Sequence, residues 1–475
     1  MSHLATRLPS RLDGTPLRLA RAIREEVAEA MAARLRTPDQ AEPNPSAQSW
    51  DAQELARTCA LRALDEHVAE LVADGESAPC PADERAAVDL VVAMLLGLGV
   101  LQLFVEDPSV ENIDVNGADR AFVTYSDGHK ELIGPVAASD DELVAMIRTA
   151  AARFGLAERR FDHAQPELDL RLPDGSRLSA VMAVTEHPVV DIRRHRLTDL
   201  DLTDLVGLGM LGDNLAAFLG AAVRAKKNIL VSGAMNAGKT TLLRALAAQI
   251  PPAERIVTIE QALELGLDRQ PQRHPDCVAM EARLANSEGI GAIGLAQLVR
   301  RSLRMNASRV IVGEVLGDEV VPMLNAMSQG RSGSMGTIHA DSSAGVFRRI
   351  AAYAVQAPER LPIEATNLLI AGAVHFVVHI ELRERFGQPP SGVELGPAPL
   401  AAGVPSEAAM PARRITSVRE VIDADGALVV SNEVFRAGPS GDAEPAAPLR
   451  DETAELLARY GYDARRPERP GRLDW

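Results

Sequence analysis

This 475-residue sequence predicts an α/β fold built round a parallel-rich sheet, preceded by a small α+β domain and a helical N-terminal region. Three observations predict it. Four short apolar runs, at 228–232, 255–260, 309–315 and 373–381, are separated by helix-length stretches, the alternation that builds a parallel sheet. The first run leads into Gly233-x4-Gly238-Lys239-Thr240, a glycine loop that opens a helix. Between 107 and 196 the apolar period is two instead, with turn signals at Asn116-Gly117, Asp127-Gly128 and Pro173-Asp174-Gly175, the pattern of antiparallel hairpins.

Residues 16–36 form an amphipathic pattern, with Ile23, Val27, Met31 and Leu35 on one stripe and acidic residues interleaved. That pattern fits a helix packed on its neighbours rather than one lying on a membrane surface. A Pro/Ser/Gln linker covers 37–49, and helices are expected at 51–74 and 83–104. In the next block, "ENIDVNGADRAFVTYSDGHKEL" and "LDLRLPDGSRLSAVMAV" supply the hairpins, with a helix near 139–154 between them. A Leu/Asp-rich connector follows at about 197–207. The parallel sheet comes next, then a Pro/Gly/Ala-rich stretch, a late hairpin in "RRITSVREVIDADGALVVSNEVF", and a short helix at 451–460. The boundaries read from these changes are 1–82 for the helical region, 83–200 for the α+β domain and 201–386 for the α/β domain. A flexible insertion is expected at 387–412, and a hairpin and tail at 413–475.

Composition excludes several classes. The formal charge of −16 argues against a general nucleic-acid surface, and four tyrosines and two tryptophans offer few stacking platforms for single strands. Cys59, Cys80 and Cys277 lie far apart, with neither a disulfide framework nor zinc spacing, which fits a reducing compartment. The N-terminus has no apolar signal core, and the longest apolar stretch, Leu90 to Leu101, is too short to span a bilayer. A cytoplasmic chain is expected, with peripheral attachment to a membrane complex left open.

Lysine stands only at 130, 226, 227 and 239, so a lysine in the frame of a phosphate-loop pattern carries information. Strand 229–231, the glycine loop and a helix from Thr241 to Ile250 would present backbone N–H groups and a positive dipole end to an anion. The cradle residues are Gly233, Asn236, Ala237, Gly238, Lys239, Thr240 and Thr241. Lys239 is the compact point charge for the outer phosphates of ATP, and the Thr240 hydroxyl is a ligand for Mg²⁺.

Hydrolysis also needs a carboxylate and charges around the transferring phosphoryl group. Three candidates follow in order. Glu260 ends the apolar run in "RIVTIEQALEL", where an α/β sheet presents ligand-facing residues. Glu314 ends "RVIVGEV" in the same way, and His339 lies in "GSMGTIHA" after Gly333, Ser334 and Thr337.

The ordered boxes "GAMNAGKTT", "IPPAERIVTIEQALEL", "LVRRSLRMNASRVIVGEVLGDE" and "GSMGTIHADSS" resemble the type II/IV secretion ATPase superfamily, most closely its CpaF-type branch of Tad/Flp pilus assembly. Upstream, "EDPSVENIDVNG" and "LDLRLPDGSRLSAV...DIRRH" are similar to that family's N-terminal domain. The likeness covers about 83–386 and extends to 413–436. It implies a RecA-like P-loop ATPase domain, a homo-hexameric ring, and work against inner-membrane platform proteins at the inner face of the cytoplasmic membrane. On the matching positions it implies that Lys239 and Thr240 hold phosphate and Mg²⁺, and that Glu260 is the first acidic residue, reaching Mg²⁺ partly through water. It implies further that Glu314 orients water and that His339 is the family histidine. Arg171, Arg177, Arg193 and Arg194 match arginines of the N-terminal domain, several of which face the nucleotide.

The sequence departs from the family pattern in the loop interior Ala234-Met235-Asn236-Ala237 and at Gln261, Leu316 and Arg331. The family's implied role is a motor ATPase coupling hydrolysis to pilus assembly or protein secretion. The departures keep open a degenerate nucleotide-binding regulatory subunit, and a nucleic-acid translocase built on the same core is a further reading.

Overall fold

The computed structural model describes residues 14–35, 47–126, 128–154, 160–194, 199–283, 285, 290–330, 332–383, 412–439 and 441–463. Of the linker expected at 37–49, residues 37–46 lie outside them, while 47–49 are helical. Of the insertion expected at 387–412, residues 387–411 lie outside them, while Ala412 is in a strand; Arg331 also lies outside them. The chain divides into two units, Met1–Arg196 and Leu197–Trp475.

The first unit opens with four helices, α1 (Thr15–Leu35), α2 (Ala47–Ala73), α3 (Pro81–Leu96) and α4 (Leu101–Glu106). On α1, Ile23, Val27 and Met31 of the expected stripe are buried, with Ala20 a turn before them, and the Leu35 side chain lies outside the described residues. The single helix expected at 83–104 is two. Gly97 ends α3, and Gly99 takes φ +56°, a left-handed conformation that stops a helix. Leu98 and Val100 are buried on either side of it.

Six strands follow: β1 (Val110–Asn116), β2 (Ala121–Tyr125), β3 (Lys130–Ile133), β4 (Glu167–Arg171), β5 (Arg177–Val181) and β6 (Val189–Arg193). Helix α5 (Asp140–Phe154) lies between β3 and β4 in sequence, with Asp140, Asp141 and Glu142 in its first turn facing the positive dipole end. The sheet order is β3-β2-β1-β6-β5-β4, antiparallel throughout. Alternate residues of each strand face a core shared with α1 to α5, so the helices read at 1–82 pack on the α+β segment as one body.

The second unit begins with α6 (Leu202–Gly207), capped by Asp201, which accepts from Thr203 and Asp204 N–H, and α7 (Asp213–Arg224). Then come β7 (Ile229–Gly233), α8 (Lys239–Ala247), β8 (Ile256–Glu260), β9 (Cys277–Glu281), α9 (Leu295–Ser302), β10 (Arg309–Val315), α10 (Val320–Ser328), β11 (Met335–His339), α11 (Gly345–Gln356), α12 (Ile363–Ala373) and β12 (Phe376–Arg383). The late hairpin is β13 (Ala412–Asp425) and β14 (Leu428–Ala437), followed by β15 (Ala443–Pro445) and α13 (Asp451–Ala458).

All nine strands form one sheet, in the order β15-β14-β13-β12-β7-β11-β10-β8-β9. From β12 to β9 every pairing is parallel, and β13 to β15 extend the sheet antiparallel. The hairpin therefore belongs to the same sheet as the glycine loop. Ile229 and Val231 of β7 enter one core and Leu230 enters another, so the sheet is buried on both faces. The order β12-β7-β11-β10-β8 is that of a RecA-like core, in which β11 stands between the strand that ends at the glycine loop and the strand that carries Glu314. The ends of these strands carry the candidate residues.

Candidate active site

Strand β7 is buried along its whole length and delivers Gly233 to the start of the loop. A Cβ on Gly233 would lie 2.5 Å from the Ile380 carbonyl of β12, so only glycine lets the loop leave the sheet there. Asn236 (φ +62°) and Gly238 (φ +97°) are left-handed, and the chain turns back into α8 through them. Lys239 opens α8 and is only 7 % exposed. Its Nζ donates to the carbonyls of Gly233 (3.3 Å) and Ala234 (2.9 Å) and to His339 Nδ1 (3.1 Å). Ala237 is fully buried, and Thr240 and Thr241 are half-buried in the first turn of α8.

His339 Nε2 stands 2.7 Å from Glu314 Oε1. With Nδ1 accepting from the ammonium, Nε2 carries the proton and donates it to the carboxylate. Lys239, at the start of α8, and His339 and Glu314, near the ends of β11 and β10, thus form one hydrogen-bonded line. The order β7-β11-β10 makes the line, because the middle strand brings the histidine.

Glu260 occupies a different environment. It is 3 % exposed, and its Oε2 accepts from the N–H groups of Glu264 (2.6 Å) and Leu265 (2.8 Å). Its Oε1 is buried without a partner. Burial pushes its pKa up to about 7, against the opposing pull of those two N–H groups. Arg244 of α8 donates to the carbonyls of Glu264 and Leu265, so one short loop is held by a carboxylate from one side and a guanidinium from the other. Glu260 packs over Gly313, where a Cβ would lie 2.8 Å from its Cγ, and the Thr337 hydroxyl donates to the Gly313 carbonyl at 2.7 Å. The first acidic residue therefore adjoins the backbone that carries Glu314.

No group of three His, Cys, Asp or Glu side chains among the described residues converges to hold a metal ion. The residues fit Mg²⁺ of the kind held by one hydroxyl and phosphate oxygens. Thr240 lies at the helix start, and the unpartnered Glu260 Oε1 is an acceptor that a hydrated cation would satisfy.

In the first unit, Arg171 is paired opposite Arg177, and Arg177 opposite Arg193, so these three arginines form a row across β4, β5 and β6 on one sheet face. Like charges directly opposite repel, and such a row favours an anion. Arg177 also lies 3.3 Å from Asp169. Arg194 points elsewhere. Its guanidinium donates to the carbonyls of Asp107 and Val110, and its side chain is 15 % exposed.

Sequence reasoning did not single out four residues near the site. The buried Glu319 carboxylate accepts from the N–H groups of Leu316 and Gly317, just after β10. Arg413 of β13 donates to the Asn236 carbonyl, and the Ser417 hydroxyl of β13 meets that of Ser343 at 2.8 Å. Of these, only Glu319 carried a local signal, as an acid just past an apolar run. Of the departures, Gln261 is exposed and Leu316 is 45 % exposed.

Residues 96–385 match the profile of the family described as Type II/IV secretion system protein. A putative conjugal transfer protein of Mycobacterium tuberculosis is 36 % identical over 303 residues, 62 % of this chain and 82 % of its own length. The type IV secretion system protein VirB11 of Brucella suis is 28 % identical over 325 residues, 62 % of this chain and 88 % of its own. The crystal structure of the Brucella suis VirB11 ATPase in complex with sulphate aligns over 71 % of this chain and 96 % of its own, with 25 % identity and a TM-score of 0.34. With the glycine loop, the two strand-end glutamates and the intervening histidine in place, and the profile spanning more than half of the chain across both units, the chain is an ATPase that belongs to the type II/IV secretion system protein family.

Proposed function

We propose that this chain is the motor ATPase of a pilus-assembly or secretion machine, of the CpaF type. In this reading it works as a six-membered ring at the inner face of the cytoplasmic membrane, against inner-membrane platform proteins. The observation that carries the reading is the line Lys239–His339–Glu314, from the start of α8 across the ends of β11 and β10. The Lys239 ammonium exchanges its carbonyl partners for the outer phosphate oxygens of ATP, and the α8 N-terminus adds its N–H groups. Glu314, with Oε1 engaged by His339, keeps Oε2 to accept a proton of the attacking water and aim it in line. His339 joins the two groups, so phosphate at the lysine and water at the glutamate are felt through one ring. Mg²⁺, when bound, would neutralise charge on the phosphates, with Thr240 and the free oxygen of Glu260 as the residues able to hold it. The row Arg171, Arg177 and Arg193 is the positive surface the N-terminal unit offers to a phosphate.

The test is phosphate release and nucleotide binding in purified variants. Lys239→Ala should abolish release and weaken nucleotide binding. Glu314→Gln should bind a fluorescent ATP analogue normally and hydrolyse ATP at least about tenfold more slowly, the low end for losing a positioned catalytic group. Unchanged turnover in Lys239→Ala would remove this loop as the active site.

A further inference from the structure

Strand β13 begins at Ala412, and its second residue, Arg413, reaches the phosphate loop across 177 positions of sequence. Arg413 Nε donates to the Asn236 carbonyl at 3.1 Å. Its Cδ would lie 3.2 Å from a Cβ on Gly238, so its stem lies along the loop beside Met210, whose Cε would lie 3.1 Å from the same point. The backbone ties the same place together, since Ile415 N–H donates to the Met210 carbonyl at 2.9 Å.

A loop that cradles an anion turns its N–H groups inward, so its carbonyls must find donors on the outside. Asn236 is the first of the two left-handed residues through which the loop turns back. Holding its carbonyl from outside keeps the neighbouring N–H groups aimed inward before any ligand arrives. A second contact from β13 reaches the segment after β11: the Ser417 hydroxyl meets Ser343, four residues after His339, and donates to Glu433 of β14 at 2.6 Å.

We propose that Arg413 is a positioning residue for nucleotide binding, which presets the phosphate loop through the Asn236 carbonyl from the antiparallel extension of the sheet. The proposal rests on the ATPase reading above. Its substance is one hydrogen bond from Nε, with the guanidinium charge secondary. Glutamine tests this directly, because its Nε2 occupies the same place along the side chain as arginine Nε and donates without charge.

The experiment measures the affinity of a fluorescent ADP analogue, together with KM and kcat for ATP, in wild type, Arg413→Ala and Arg413→Gln. Arg413→Ala should weaken analogue binding and raise KM by up to about tenfold, the net worth of one hydrogen bond. Its kcat at saturation should change by less than about twofold, since binding restores the loop. Arg413→Gln should recover most of the affinity. Melting without nucleotide checks that both variants fold. Equal affinity in Arg413→Ala and wild type overturns the proposal, as does a glutamine variant no better than alanine. Wild type that binds no nucleotide would overturn the ATPase reading instead.

Discussion

Glu260 is a carboxyl whose pKa rises on folding, from an ordinary 4.5 to about 7, because burial disfavours its charge. The native state therefore holds the proton more tightly than the unfolded chain. Stability from this group is full below the unfolded value and is lost as pH rises through about 7. Glu260→Gln keeps an oxygen for the Glu264 and Leu265 N–H groups and removes the titration. The nucleotide-free wild type should lose more melting temperature than this variant between about pH 5 and pH 8. Equal slopes would show that Glu260 does not titrate there. The two neighbouring arginines also separate at this scale. Arg194→Ala leaves the Asp107 and Val110 carbonyls without their donor, and should cost about 1–3 kcal/mol of stability by thermal melting. Arg193 is exposed, and Arg193→Ala should change stability by less than about 0.5 kcal/mol while lowering ATP turnover. The opposite pattern would exchange their roles. Placement was legible residue by residue for Lys239 at the start of a helix and for Glu260, Glu314 and His339 near the ends of strands. The division between Arg193 and Arg194 was not, because adjacent strand residues face opposite ways and a pair in sequence does not say which one faces the row.

At the scale of elements, β8 and β10 lie side by side in register, Thr258 beside Ile311 and Ile259 beside Val312. That register sets Glu260 over Gly313, and the missing side chain of Gly313 is the space Glu260 uses. Gly313→Ala should push the carboxyl aside at a cost of about 1–3 kcal/mol, the usual penalty of overpacking, and slow hydrolysis with it. Normal melting and normal phosphate release in this variant would mean that Glu260 has room to spare. Strands β7, β8, β10 and β12 were readable because a strand buried on both faces is a short apolar run between helices. Strand β9 was not, since "CVAME" at the sheet edge is only half-buried and mixes polar with apolar residues. The break between α3 and α4 shows the opposite failure: an apolar run continued through Gly97 and Gly99 and hid two helix-stopping glycines.

For the whole molecule, the motor reading requires several copies in closed symmetry. Light scattering with a non-hydrolysable ATP analogue should give a species near six chain masses. A strict monomer at all concentrations with the analogue present would count against the motor and for a regulatory nucleotide-binding subunit. The placement of the late hairpin lay beyond sequence reasoning for a related cause. Local alternation identifies β13 and β14, but nothing local says that they join the sheet of the glycine loop or that Arg413 comes to rest on Asn236.

The two margins of the nine-stranded sheet carry a consequence for such an assembly. One margin is β15, three residues long and ending in Pro445, which has no N–H to offer a further strand. The other is β9, five residues long, after which the chain turns back on itself through the Arg283–Ile293 bridge. Neither is a long open ladder, and short or interrupted margins are how proteins discourage strand-to-strand fusion. Copies that met at this sheet would then do so through side chains rather than through a shared backbone ladder. Contacts of that kind can slip and re-form, so neighbouring copies would be free to shift against one another without zipping into a fibre.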